Sequence, residues 1–341
     1  MLDHLHFSDE QKARMVDHLM QAQQAGQPAR KHRRPLRRRV VAALAAAAVL
    51  TVGAGAAYMG LASDAFAAVF GTEETEIIDK IGYPVGVSDT DAGFTITADA
   101  IMGDKYSVNI IYTITADDGR ELHADRMLAE DTLEFQRSGM GGSTWFADDT
   151  PGDNQVQYIM QYTVDDENGL RQGRATAEFT KLQEWNPETE QAEVIAEGKW
   201  KLRFDMRYED IGTSVIDQPV AVQAEAGTAM LRAVYLSPLG FHITADYPEV
   251  NAQTQQEIDS FEMPESGREP QNTPYEKLTG LDIFLTLKDG TKLDLGACMG
   301  SSCDLKTREI VLRDTFRDQV IPLDQMESIT IENVTLPVSA D

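Results

Sequence analysis

The chain has very little with which to do covalent chemistry. Of 341 residues only two are Cys and six are His, and beyond residue 62 the histidines reduce to His123 and His242. No G-x-S-x-G elbow exposes a nucleophile. Neither G-x-x-x-x-G-K-[ST] nor a strand-linked G-x-G-x-x-G is present to cradle phosphate. No Cys and His spacing completes a metal tetrad. These absences leave no catalytic residue, no metal ligand and no cofactor to expect. Basic residues are also scarce, at 30 Lys and Arg against 56 Asp and Glu, a net charge of −26. The imbalance is uneven: residues 1–62 hold nine basic and four acidic side chains, leaving 21 against 52 for the rest. So acidic a body repels a phosphate backbone, and no nucleic-acid partner is expected.

Long apolar runs are missing too, with one exception. Val40 to Ala62 is 23 residues without a charge, about 34 Å as a helix at ~1.5 Å per residue, enough for a hydrocarbon core of roughly 30 Å. A basic cluster stands directly before it: Arg33, Arg34, Arg37, Arg38 and Arg39. Positive charge is retained on the cytoplasmic side of a membrane. The arrangement therefore predicts a cytoplasmic tail over 1–39, a transmembrane helix over 40–62 and everything later outside. Ten of the 23 residues are Ala, and Ala65, Phe66 and Ala67 resemble a signal-peptidase site. An uncleaved signal-anchor and cleavage after Ala67 are thus both open, with the long, patterned leading segment favouring the anchor.

Within the tail, Ser8 and Gln11 form a capping-box pair before an apolar stripe. Leu5, Phe7, Met15, Leu19 and Met20 supply that stripe and are the candidate partner-binding residues. After residue 62 the pattern changes. A small-residue stalk over 63–80 gives way to period-two alternation, as in Phe94–Ile101, Gln155–Val164 and Lys199–Tyr208, which reads as half-buried strands. Asp118-Gly119, Asn168-Gly169 and Asp289-Gly290 are hairpin dipeptides. The alternation pauses near Pro219, so the expectation is mostly β: a first domain over 81–217 and a second over 218–341, each an antiparallel immunoglobulin-like sandwich. Pro248 to Pro274 reads as a loop with one helical turn near 255–261.

Smaller features are given their plainest chemistry. Cys298 and Cys303, with four residues between them and outside the membrane by this topology, are a disulfide candidate in a turn, with free thiols as the alternative. Gly139 to Ser143 reads as a flexible glycine loop. Asp89 to Gly93 resembles the start of a calcium loop but lacks its closing Glu, so its aspartates read as turn formers. His242 falls on the strand face opposite Phe241 and Ile243, which reads as solvent-facing.

The basic stretch, the single anchor, the segment Ala65 to Gly71, then Ile81-Gly82, Ser88-Asp89, Gly93 to Thr97, and Asp104 followed by Val108 to Ile114, together resemble a bacterial family of single-pass membrane proteins, the domain-of-unknown-function family numbered 4179. The likeness is clearest from Arg33 to Thr115. The resemblance implies residence in the bacterial cell membrane and, because members are often encoded beside extracytoplasmic-function sigma factors, an anti-sigma or sensing role. The expected partners are the lipid bilayer, a cytoplasmic sigma factor and an unnamed extracytoplasmic ligand. A passive surface or adhesion module is the alternative.

Overall fold

The computed structural model describes Phe66 together with residues 82–135, 140–148, 150–261, 273–296, 300–316 and 319–339. The tail stripe, the arginine cluster, the apolar stretch and Cys298 lie outside the described residues. Among the described residues no helix is long and apolar enough to cross a membrane. The described part is mostly β and its strands pair antiparallel.

Eight strands build an N-terminal lobe: β1 (Gly82–Asp91), β2 (Phe94–Gly103), β3 (Ser107–Ala116), β4 (Met127–Glu134), β5 (Met140–Ala147), β6 (Gln155–Val164), β7 (Gly173–Asn186) and β8 (Gln191–Met206). They form a five-stranded sheet in the order β1-β2-β3-β6-β5 and a three-stranded sheet in the order β4-β7-β8. One core joins the two sheets. Phe94, Ile96, Tyr112, Ile114 and Tyr158 come from the first, and Phe179, Trp200, Leu202 and Phe204 from the second. Alternation explains the arrangement: along β8, Trp200, Leu202, Phe204 and Met206 are buried while Lys201, Arg203 and Asp205 are exposed.

The C-terminal lobe follows with β9 (Thr213–Ser214), β10 (Val220–Ala224), β11 (Gly227–Ser237), β12 (Gly240–Val250), α1 (Ala252–Ser260), α2 (Pro274–Thr279), β13 (Ile283–Leu287), β14 (Lys292–Asp294), β15 (Gly300–Asp304), β16 (Glu309–Thr315), β17 (Met326–Ile331) and β18 (Val334–Pro337). One sheet runs β10-β11-β12-β16-β15, with β9 beside β11, and the other runs β14-β13-β17-β18. A second core, separate from the first, gathers Leu231, Leu236, Phe241, Ile243 and Tyr247 with Ile283, Leu285, Leu312 and Ile329.

Three local readings need correction. Residues 140–143 are not a free glycine loop: they open β5, which pairs with β6, and a Cβ at Gly142 would lie 2.2 Å from the Gln161 carbonyl oxygen. Glycine is there because the neighbouring strand leaves no room. The 248–274 segment holds α1 and leads into α2, which the sequence reading missed although Thr273 and Glu276 form a full capping box with Pro274 at the start. The run 328–336, whose alternation by itself predicts one strand, is the β17–β18 hairpin, which turns at Glu332 with φ 51°.

Asp89 and Asp91 do have a structural task. The β1–β2 hairpin turns through Ala92 and Gly93, both at positive φ. Asp91 accepts a hydrogen bond from the Lys199 backbone N–H at 2.8 Å and Asp89 one from the Lys201 N–H at 2.8 Å. The two carboxylates clasp β1 to the otherwise unpaired edge of β8, which satisfies donors that an edge strand would leave open.

Candidate functional site

The densest group of buried polar side chains lies where the two lobes meet. It begins at Asp104, directly after β2, whose side chain is 1 % exposed. One of its carboxylate oxygens accepts from the backbone N–H groups of Tyr106 (2.7 Å) and Ser107 (2.6 Å), shaping the turn into β3. The other accepts from the Ser237 hydroxyl at the end of β11. Ser237 Oγ in turn accepts from the N–H groups of Leu239 (3.0 Å) and Gly240 (3.2 Å) in the β11–β12 hairpin. A single carboxylate thus organises one turn in each lobe. Burial pushes its pKa up to about 6 against the pull of these hydrogen bonds, and the nearby charge of Asp210 acts in the same direction as burial.

Cross-strand pairing lays the C-terminal half of the seam out as a row. Tyr235 faces His242, His242 faces Arg313 and Arg313 faces Gly300 across four successive strands. Tyr106 of the N-terminal lobe stacks flat on His242, centroids 3.8 Å apart, and meets Tyr235 edge-on at 4.9 Å. The Tyr235 hydroxyl donates to Asp210 at 2.6 Å, and the Lys105 ammonium sits 4.9 Å from the Tyr106 ring centroid. On the opposing strands Gln161 donates to Asn109 at 2.9 Å and Thr163 to the Gly141 carbonyl at 3.3 Å.

His242 is therefore not solvent-facing. It is 1 % exposed, and neither ring nitrogen has a hydrogen-bond partner. Burial first, then the positive charges of Arg313 and Lys105, hold its pKa down to about 3. Alternation correctly puts it on the face away from its own core. What alternation does not reveal is that the other lobe covers that face.

Ser237, His242 and Asp104 share this seam without forming a relay. The hydroxyl is bound to the carboxylate, and the imidazole makes no hydrogen bond to either. A nucleophile needs its base within hydrogen-bond reach, which this geometry does not supply. What the arrangement does is lock two turns together. His242→Phe should then raise stability by about 1 kcal/mol, since it keeps the ring on Tyr106 and removes two buried unpartnered nitrogens. The urea midpoint of the purified variant checks this.

Other polar features are less organised. A cleft over Thr113, Asp148, Asp153, Gln155 and Gln157 adjoins Asp99, whose pKa burial pushes up to about 6 although its carboxylate accepts from Thr113 Oγ1 at 2.7 Å. Among the described residues no group of three or more His, Cys, Asp or Glu is placed to hold a metal ion. His123 lies 3.7 Å from Glu121 at the surface. Cys303 is a free thiol in β15, its pKa raised to about 12 by burial and then by Asp304. It lies in a strand and not a turn. On the outer face of the three-stranded sheet, Leu128 and Val194 both flank Gln183, and Trp185 lies two residues farther along. All three are large apolar side chains that remain 44–52 % exposed.

No protein-family model matches this chain, and no curated protein matches it. Among solved structures, the conserved domain protein from Bacillus anthracis is similar over 73 % of this chain and 75 % of its own. The two are 15 % identical, with a TM-score of 0.49.

Of the site residues read from the sequence, Cys303 is the single one that falls in the described part. The seam residues Tyr106, Tyr235, Ser237 and Arg313 carried no motif. Asp104 was singled out only as part of the family resemblance.

Proposed function

We propose that this is a single-pass bacterial envelope protein, N-terminus inside, whose two immunoglobulin-like β lobes sense an extracytoplasmic ligand and whose tail engages a cytoplasmic partner such as a sigma factor. The observation that carries the reading is Phe66. It is helical and 1 % exposed, yet only three residues separate it from the end of the apolar stretch at Ala62. Four residue steps reach at most about 14 Å, so a span ending at Ala62 would leave only a short link to this buried side chain. A tether built that way favours transmission over passive display, and it favours an uncleaved anchor, because cleavage after Ala67 would discard a buried Phe.

The seam supports the same reading from the outside. Asp104–Ser237 and Tyr106–His242 link the two lobes, which supports a reading in which a ligand on one lobe is felt by the other. The decisive experiment is recovery of the full-length protein from membranes, with identification of what binds residues 1–39. Met15→Asp with Leu19→Asp is expected to abolish that partner and to change sigma-dependent transcription at least tenfold. Unchanged transcription removes the signalling role.

A passive adhesion module is the second reading, favoured by the exposed Leu128, Val194 and Trp185. It predicts that deleting residues 2–25 leaves gene expression unaltered while Trp185→Ser weakens attachment of cells to their surface.

A further inference from the structure

The five-stranded sheet carries a second apolar face. Register sets Pro84, Ala100, Ile111, Ile159 and Trp145 opposite one another in a single row across β1, β2, β3, β6 and β5. Ile110, Tyr112, Tyr158 and Met160, which flank Ile111 and Ile159 in sequence, point into the N-terminal core. The row therefore faces the other way, as does Met102 beside it. A sheet face that met only water would leave these side chains exposed. Instead Ala100, Met102, Ile111 and Ile159 are all 0 % exposed, although none belongs to either core. They are buried within a single chain, so the cover is part of the same molecule.

Phe66 is the matching anomaly. It is buried and belongs to the same compact unit as both lobes, yet it is a member of neither core. A buried core side chain typically touches 6–12 others, so this ring has an apolar seat elsewhere. Among the described residues only six other buried apolar side chains stand outside the two cores: the four on this face, Leu239 and Val320. The last two lie by the β11–β12 hairpin, where the Ile321 N–H donates to the Pro238 carbonyl and Ser237 bonds to Asp104, two residues beyond Met102. All six thus gather at one side of the sheet. Phe66 precedes Pro84 by 18 residues, which reach about 60 Å when extended, against roughly 19 Å across five strands. The chain can carry the ring to any point of the row.

We propose that this face is the docking surface for the chain's own segment around Phe66, with the Phe66 ring seated on Met102, Ile111 and Ile159. The polar residues on either side mark the limits of the seat. Ser143, Gln161 and Thr163, toward one end of the strands, share a cleft with Gly300 and Thr315 of the C-terminal lobe. Thr113 and Gln157, toward the other end, line a polar cleft. The docking stands on burial alone. Its consequence for signalling rests on the single-pass reading: a displacement of the membrane span would reach the five-stranded sheet first.

Photo-crosslinking of the full-length protein tests the seat. Benzoylphenylalanine placed at position 66 keeps an aromatic ring there, and irradiation followed by peptide mapping is expected to join it to peptides of β2, β3 or β6. Crosslinks confined to the three-stranded sheet, to the β14-β13-β17-β18 sheet or to a second copy overturn the proposal. A second measurement needs no unnatural side chain. Phe66→Ala and Ile159→Ala should each lower the Tm of the full-length protein by about 5 °C or more. The double variant should fall by at least about 3 °C less than the sum of the two, because each truncation already empties the other's contact. Additive shifts sink the seat. Both readouts are structural, so they separate its failure from that of the signalling role, which sigma-dependent transcription measures.

Discussion

Asp104→Ala is expected to cost about 4 kcal/mol and to split one unfolding transition into two. The substitution leaves two backbone N–H groups, those of Tyr106 and Ser107, and the Ser237 hydroxyl without their shared acceptor. Each buried unmet donor costs about 1–3 kcal/mol. The loss also falls on a side-chain bond that ties a turn in each lobe, so the lobes should then melt independently. Urea unfolding followed by tryptophan fluorescence and by far-UV circular dichroism reads this directly: coincident curves for the wild type, separated ones for the variant. The fluorescence reports on the N-terminal lobe, where Trp145, Trp185 and Trp200 all lie.

Asp104→Asn isolates the charge. The amide still offers an oxygen to the two backbone donors but has no proton to bind. In the wild type the folded carboxyl titrates at about 6, above its ordinary value of 3.8. The folded state therefore holds this proton more tightly than the unfolded one. Its stabilising contribution is complete below the unfolded value and is lost as pH rises through the folded one. Between pH 7 and pH 5 the wild type should gain about 1 kcal/mol relative to Asp104→Asn. The comparison must be made against that variant, because His242 acts the other way. With its folded pKa near 3, the unfolded state takes up that proton first, and stability falls on acidification below the ordinary His value. Asp99, also raised to about 6, adds to the acid-side gain in both proteins and cancels. Curves that stay parallel from pH 7 to pH 5 would show that Asp104 does not carry this charge effect.

Trp200→Ala should be the most damaging single change, at about 4–5 kcal/mol. The side chain is fully buried at the meeting of the two N-terminal sheets, and its indole N–H donates to the Phe94 carbonyl at 2.9 Å. Truncation leaves a cavity the size of an indole and an unmet carbonyl together, and large aromatic-to-Ala changes in cores cost about 3–5 kcal/mol before the second effect. Trp185→Ala provides the control. That ring is 44 % exposed on the outer face of the same sheet, so its removal should alter stability by less than about 1 kcal/mol. Denaturation midpoints of the pair distinguish a core role from a surface one.

Much of the fold was legible because alternation is a local property. A strand with one face on a core must place apolar residues at every second position, and Trp200, Leu202, Phe204 and Met206 announce that face without reference to any partner. The Asp118-Gly119 and Asn168-Gly169 turns are legible for the same reason. Strands without that signature were missed. β5 opens with Met140, Gly141, Gly142 and Ser143, where glycine answers to the closeness of β6 and not to any local preference. β15 contains Cys303 between polar neighbours and reads as a turn until β16 is set beside it. The candidate site was less legible still. Ser237, His242 and Arg313 sit on the face that alternation assigns to water, and no local pattern distinguishes a wet face from one covered by another lobe.

The sequence by itself determined the class of the region after residue 62, its acidity, most of its strands and turns, and the one apolar stretch preceded by arginines. All are set by neighbours within a few residues, or by composition. Tertiary structure alone decided that Asp104 meets Ser237 across 133 positions, that a histidine on a polar strand face is buried against Tyr106, and that Arg313 is buried with its Nε and Nη1 donors unpartnered. The physical reason is the same in each case. Burial of a polar group depends on which surfaces come together, and that depends on contacts between residues far apart in the chain.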